Sequence, residues 1–253
     1  MEKCLISVGL DCLLSENRKL SFFTKLVLKD IIRNGHYLIL YSKESVDTIY
    51  PYLKKLHLFN YPVICFNGGA LLYINSKQQI TKADYFKIEN KAINNFIYQN
   101  KEIILNIDIQ TLDKEESKKN LQIDKQTIKE NIIYSLITIN KKNQIQFEKN
   151  LKKFSNLKIQ FLEEKGSFFI YQIISHNTGI LECILSLQKK YKIKDQNIIC
   201  FGKNAFSLDL LKHFPNSYLM KDTINEKSIK KTIKDSSHNG VIDTLVKNHK
   251  NLF

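Results

Sequence analysis

Val63-Ile-Cys-Phe-Asn-Gly-Gly-Ala-Leu-Leu-Tyr73 sets an apolar run against an abrupt break. The run from Val63 to Phe66 follows Pro62 and stops at Asn67-Gly68-Gly69; a second run, Ala70 to Tyr73, then begins. A short apolar run bounded by turn residues predicts a buried strand. Asn-Gly-Gly is backbone that takes positive φ or lets a ligand approach closely. Two readings of the break stay open here. One is a plain hairpin turn. The other is a loop beyond the end of a buried strand, which is where open α/β sheets bind ligands.

The flanking sequence bears on that choice. Before the stretch, Cys4–Leu10 predicts a strand and Leu20–Arg33 a helix, with Ser21 as N-cap, Phe22, Leu26, Ile31 and Ile32 apolar, and Asn34-Gly35 as the stop. His36–Tyr41 predicts a strand, and Glu44–Leu56 a helix with Val46, Ile49, Leu53 and Leu56 on one face. Pro62–Phe66 is the third strand. Strand, helix, strand, helix, strand with short links is the pattern of a parallel sheet with crossover helices. From about Gln79 the texture changes. A helix at Glu89–Tyr98, strands at Glu102–Asp108, Ile132–Ile139, Leu157–Leu162 and Ser167–Ile174, and a helix at Gln144–Phe154 predict a separate α+β unit. Asp113–Lys125 is polar and predicts loop and the start of a helix. Lys158 and Gln160 alternate with Ile159 and Phe161, as in a sheet with one wet face. The first texture then returns, with helices at Thr178–Tyr191 and Ala205–His213, strands at Asn197–Phe201 and Asn216–Met220, and short helices at Asn225–Ile233 and Asn239–Lys247. The expected architecture is an α/β core of parallel-sheet type, residues 1–75 and 176–253, with an α+β domain, residues 76–175, inserted into it.

Composition narrows the function classes. The chain has 253 residues, 43% hydrophobic and 11% aromatic, which suits a sizeable globular core. No apolar run reaches the ~18 residues of a membrane span. The first residues, Met1-Glu-Lys-Cys-Leu-Ile-Ser-Val8, lack the pattern of a secretory signal. Five scattered cysteines without CxxC spacing support neither a zinc site nor a disulfide framework, and point to buried thiols in a cytoplasmic protein. The net charge is +14. Its lysine clusters, at 118–119, 141–142, 152–153 and 230–231, lack the arginine and aromatic interleaving of a sequence-reading surface. A solvated basic surface is therefore expected in place of a dedicated nucleic-acid site.

Taken together, the chain resembles the haloacid-dehalogenase-type phosphatases, specifically the Cof-type branch, whose Rossmann-like core carries a large α/β cap after its third strand. Pro62 to Leu72 is similar to the stretch leading into the cap, Asn239-Gly-Val-Ile-Asp-Thr-Leu245 to the closing helix, and Ile199-Cys-Phe-Gly202 to the strand before the acidic loop. The resemblance covers essentially the whole chain. It implies an Asp nucleophile ending the first strand, an acid/base Asp two residues on, and a Ser or Thr after the second strand. It further implies a Lys after the cap and an acidic loop that completes a Mg²⁺ site. Metal and lysine charges make attack by one anion on another feasible.

The chain departs from that set at most positions. Val8-Gly-Leu-Asp-Cys-Leu-Leu14 places Gly9 at the nucleophile position and Asp11 at the acid/base position. Glycine has no side chain with which to form a covalent intermediate. Ser42 retains a hydroxyl, Asn177 or Thr178 stands where the Lys is expected, and Lys203 stands at the first acidic-loop carboxylate, with Phe206 and Ser207 following. Asp11 is the surviving metal-ligand candidate, so the resemblance implies no resident cofactor, with Mg²⁺ expected only if activity survives. Lys203 has two readings: a solvated loop lysine, or the partner of Asp11 in place of the metal. Asn67 and Gly68 are either structural turn residues or a retained ligand contact, with Ser42 as the third substrate-binding candidate.

The expectation is a hydrolase homologue without phosphatase activity, a pseudoenzyme that binds a small phosphorylated metabolite. A weak or altered phosphatase and a basic binding or assembly protein that reuses the scaffold are the alternatives. No membrane partner is expected.

Overall fold

The computed structural model describes residues 2–111, 115–119, 132–221, 229, 231–235 and 239–253. The chain divides into two compact units, Met1–Asp84 with Gly179–Phe253, and Tyr85–Thr178.

In the first unit, β1 (Leu5–Gly9) is followed by the short α1 (Leu10–Leu13), then α2 (Phe22–Arg33), β2 (Tyr37–Tyr41), α3 (Val46–Leu56), β3 (Pro62–Cys65), β4 (Ala70–Ile74) and β5 (Ile80–Tyr85). In the second unit come α4 (Asn90–Gln99), β6 (Ile104–Thr111), β7 (Glu115–Lys119), β8 (Ile132–Asn140), α5 (Gln144–Leu151), β9 (Leu157–Lys165) and β10 (Phe168–Ser175). The first unit resumes with α6 (Ile180–Tyr191), β11 (Ile198–Gly202), α7 (Leu208–His213), β12 (Asn216–Met220), β13 (Thr232–Ile233) and α8 (Gly240–Asn248). Among the described residues the sheets are eight-stranded, in the order β13-β12-β11-β1-β2-β3-β4-β5, and five-stranded, in the order β7-β6-β8-β10-β9.

The core sheet is parallel from β13 through β3, and β4 returns antiparallel to β3. Strands buried on both faces need near-continuous apolar sequence, and every residue of β1 and β11 is buried. Crossover helices supply the cover. α2 buries Thr24, Val27, Leu28 and Ile31, a stripe at helical spacing. The expected stripe through Phe22 and Leu26 is therefore displaced: these two are 71% and 51% exposed, and the small Thr24 takes the inward position. Ser21 caps the helix as expected, its Oγ accepting from the Thr24 N–H at 3.0 Å. Ser21→Ala is expected to cost about 1 kcal/mol of unfolding free energy in urea titration.

The second unit packs α4 and α5 on one face of its antiparallel sheet, with Phe96 in edge contact with Phe147 at 5.8 Å and Phe154 at 5.0 Å. After a register shift behind Ile104, β6 alternates, with Ile107, Ile109 and Thr111 buried. β9 does not: it is the sheet's edge strand, and Phe161 is exposed.

Two expected elements differ and one strand was not expected. Glu115–Lys119, expected as loop or helix, pairs with β6 as an edge strand, where charged sequence is tolerated; 120–125 lie outside the described residues. Thr232–Ile233, the end of an expected helix, instead pair in parallel with Leu219 and Met220; 225–228 and 230 also lie outside. The polar β5 carries no apolar period to announce it and follows from its hairpin position beside β4. All five cysteines are buried and none forms a disulfide. Among the described residues, no helix is long and apolar enough to cross a membrane.

Candidate functional site

Gly9, Tyr41 and Gly202 are the last residues of β1, β2 and β11, three adjacent strands of the core sheet. The parallel register sets Gly9 beside Tyr41 and Val8 beside Phe201. Tyr41 is 2% exposed, and its hydroxyl donates to the Phe201 carbonyl at 2.6 Å. The phenol of β2 thus crosses the end of β1 to reach β11. A Cβ built on Gly9 would stand 3.2 Å from two ring carbons of Tyr41 and 2.6 Å from Asp11 Oδ1. The space a side chain at position 9 would use is filled. Burial pushes the Tyr41 hydroxyl well above its usual value, the neighbouring Cys12, Asp11 and Cys200 add to the rise, and a hydrogen bond with Ser207 opposes it. Tyr41 therefore remains a neutral donor.

Asp11 lies in α1, immediately beyond β1. Its Oδ2 accepts from Asn204 Nδ2 at 3.2 Å, and the Cys12 thiol approaches Oδ1 at 3.8 Å. The carboxyl keeps access to solvent, yet enough protein surrounds it that desolvation raises its pKa; the Lys203 charge and the Asn204 bond partly offset this. Asn204 thus contacts Asp11 directly, and the Lys203 charge also acts on it. Ser207 is buried and donates to the Asn204 carbonyl at 2.7 Å. Gly202 makes room for it, since a Cβ there would stand 2.3 Å from Ser207 Oγ.

An acid whose folded pKa is raised favours the folded state most below its unfolded value. That contribution is lost as pH rises through the folded pKa. For Asp11 the window opens near 3.8 and extends upward. Asp11→Asn is expected to lessen this loss, raising stability at neutral pH relative to the unaltered chain; urea midpoints taken at acid and neutral pH would test it.

A second group adjoins the first at Tyr41-Ser42. Ser42 Oγ accepts from the Glu44 N–H at 3.1 Å, and its carbonyl accepts from the Asn67 N–H at 3.0 Å. Asn67 is 3% exposed and takes φ 51°. Gly68 takes φ +101°, and a Cβ on it would stand 2.1 Å from the Gly179 carbonyl carbon. The Cys183 thiol approaches the Gly68 carbonyl at 3.7 Å. The Asn67-Gly68-Gly69 break is thus a buried turn clamped between the Ser42 loop and the start of α6.

Gly9, Asp11, Ser42, Asn67, Gly68, Lys203 and Ser207 all lie in the first unit, where Gly9 stands beside Asp11 and Tyr41, and Ser42 bonds to Asn67. Asn177 belongs to the second unit and is exposed, while Thr178 is buried there, its N–H on the Ser175 carbonyl. Tyr41 and Asn204 were missed by sequence reasoning. The signal for Tyr41 is a bulky residue ending the strand next to a glycine that ends its neighbour. Among the described residues no three His, Cys, Asp or Glu side chains converge as a metal cluster.

Comparison with known proteins bears on this arrangement. No curated protein sequence matches the chain. Solved structures do match. A Thermotoga maritima protein superposes with a TM-score of 0.75 at 16% identity, over 97% of both chains. A haloalkanoate-superfamily phosphatase from Bacteroides thetaiotaomicron gives 0.77 at 12% identity, over 100% of this chain and 96% of its own. A subclass IIB sugar phosphatase gives 0.76 at 12% identity, over 99% and 100%. At such identities the likeness is one of fold. The family model described as haloacid dehalogenase-like hydrolase matches residues 11–245, nearly the whole chain, and with the sheet order and strand-end site above it places this chain among the haloacid dehalogenase-like hydrolases.

Proposed function

We propose that this member of the family has lost phosphatase chemistry and binds a small phosphorylated metabolite without a metal. The Tyr41 ring lying over Gly9 carries the reading. The strand end that would present a nucleophile has no side chain, and the Asp11 carboxylate and the neutral Tyr41 ring crowd the space one would use. A Mg²⁺ site wants six oxygen donors, carboxylates and waters among them. Here Asp11 faces Gly9 and the Lys203 charge, and the Ser207 hydroxyl is bonded to the Asn204 carbonyl. That donor set does not fit Mg²⁺. Lys203, Ser42 and the Asn67-Gly68 turn remain as groups of the kind that hold a phosphate without hydrolysing it.

One observation favours a rival. The raised pKa of Asp11 suits a general acid, so a weak or altered phosphatase is the second reading. A panel of sugar phosphates and other phosphorylated metabolites, with and without Mg²⁺, separates the two. The expected result is a raised melting temperature with at least one compound in metal-free buffer and no turnover. A ligand at 100 times its Kd would add about 2.7 kcal/mol. Mg²⁺-dependent turnover that Asp11→Ala abolishes would establish the rival instead.

A further inference from the structure

At the opposite end of the core sheet, residues distant in sequence form one continuous strip. Lys3 precedes β1, Tyr37 opens β2, Tyr73 pairs with the first residue of β3, and Tyr191 ends α6. Lys3 lies 5.5 Å from the Tyr37 ring centroid. Tyr37 and Tyr191 stack with centroids 4.0 Å apart and planes 6° from parallel. Lys190 lies 5.2 Å from the Tyr191 centroid and 4.6 Å from that of Tyr73, and donates to the Tyr73 hydroxyl at 2.7 Å. Lys82 closes the row 5.7 Å from the Tyr73 centroid. A hydrogen bond between the two hydroxyls ties Tyr191 to Tyr73, and with burial it pushes Tyr191 up to about 12. Lys3, Lys82 and Lys190 are exposed.

We infer that this strip binds the phosphate backbone of nucleic acid, independently of sequence. Aromatic rings hold the lysines in place, which lowers the entropy lost when they engage a partner. Both ammonium and phenol groups donate to phosphate oxygens. Each ring is already covered, Tyr37 by Tyr191 and Lys3, Tyr191 by Tyr37 and Lys190, and Tyr73 by Lys190 and Lys82. Bases therefore have no platform to stack on, and charge does the recognising. Of the nearby carboxylates, Glu2 is held by Lys194 and Asn197, and Asp84, whose charge reaches Tyr73, offsets part of the row and leaves the three lysines in excess. Nucleic acid carries a charge at every phosphate along its strand, which suits an extended row of lysines. The interleaving of lysine with aromatic residues that is missing along the sequence is made by the fold. It is independent of the metabolite reading, since it uses none of the residues around Gly9.

The test is binding of the full-length chain to a labelled 20-nucleotide oligouridine at several salt concentrations, alongside a 20-base-pair DNA duplex and polyglutamate. Two triple variants are compared: K3Q/K82Q/K190Q in the strip and K54Q/K142Q/K152Q elsewhere, which lower the net charge equally. The strip variant is expected to weaken oligouridine binding about tenfold and to flatten the log–log salt slope by about 2, from ~0.7 per phosphate contact. The other variant is expected to change both far less. Equal losses in the two variants would assign the effect to net charge and overturn the site. Failure to bind oligouridine or duplex at 50 mM salt would overturn it too. Polyglutamate binding as tightly as oligouridine through the same lysines would replace nucleic acid with an acidic protein.

Discussion

Gly68→Ala is expected to destabilise the chain by about 3 kcal/mol or more, from backbone strain of about 1–3 kcal/mol and overpacking of about 1–3 kcal/mol. Both terms come from one place. At φ +101° the new methyl group is strained, and at that φ it points 2.1 Å from the carbonyl carbon of Gly179. What it meets is backbone at the start of α6, which cannot rotate aside as a side chain would. Gly35→Ala is the matched control: φ is +83° and nothing lies within 4 Å of the added Cβ. The difference between the two in urea unfolding, with unchanged slope, isolates the Gly68–Gly179 contact. Equal costs would mean that the turn and helix are not apposed in this way.

The second large effect lies at Gly9. Restoring a carboxylate there by Gly9→Asp is expected to give no phosphatase activity and to cost about 1–3 kcal/mol, because Tyr41 and Asp11 occupy the space. The new charge beside Asp11 adds like-charge repulsion. Tyr41→Ala alone removes a buried ring and leaves the Phe201 carbonyl without its donor, and is expected to cost about 3–5 kcal/mol. Together, the substitutions should cost less than their sum, by about 0.5–3 kcal/mol, since the cavity left by the ring admits the carboxylate. Additive costs would show that Gly9 and Tyr41 are not coupled. Mg²⁺-dependent hydrolysis of an aryl phosphate by Gly9→Asp alone would overturn the loss of chemistry.

Much of the fold is legible along the sequence because it rests on local signals. Apolar runs announce β1, β2, β3 and β11, and Ser21 caps α2 where a hydroxyl precedes the helix. The change of texture after Gln79 precedes the second unit, which begins at Tyr85, where β5 of the core sheet ends. Where local signals are weak or compete, reading fails. Thr24 displaced Phe22 from the buried stripe because a small side chain fits against the sheet. The strands at Glu115–Lys119 and Thr232–Ile233 owe their conformation to a partner strand and not to their own period.

The site divides in the same way. That position 9 is glycine and position 203 lysine is written in the chain, and so is the survival of Asp11 and Ser42. What lies against Gly9 is not, because Tyr41 meets it only through a parallel register joining residues far apart in sequence. Likewise the Asn204 amide reaches Asp11 from the loop after β11, a contact that no local signal announces. The Lys–Tyr strip exists only once β1, β2, β4 and α6 are packed. By itself the sequence determined most of the elements, their order and which residue types stand at positions 9, 11, 42 and 203. The tertiary structure alone decided what lies against them, because a hydrogen bond or ring contact needs atoms within a few ångströms, a distance that only packing sets.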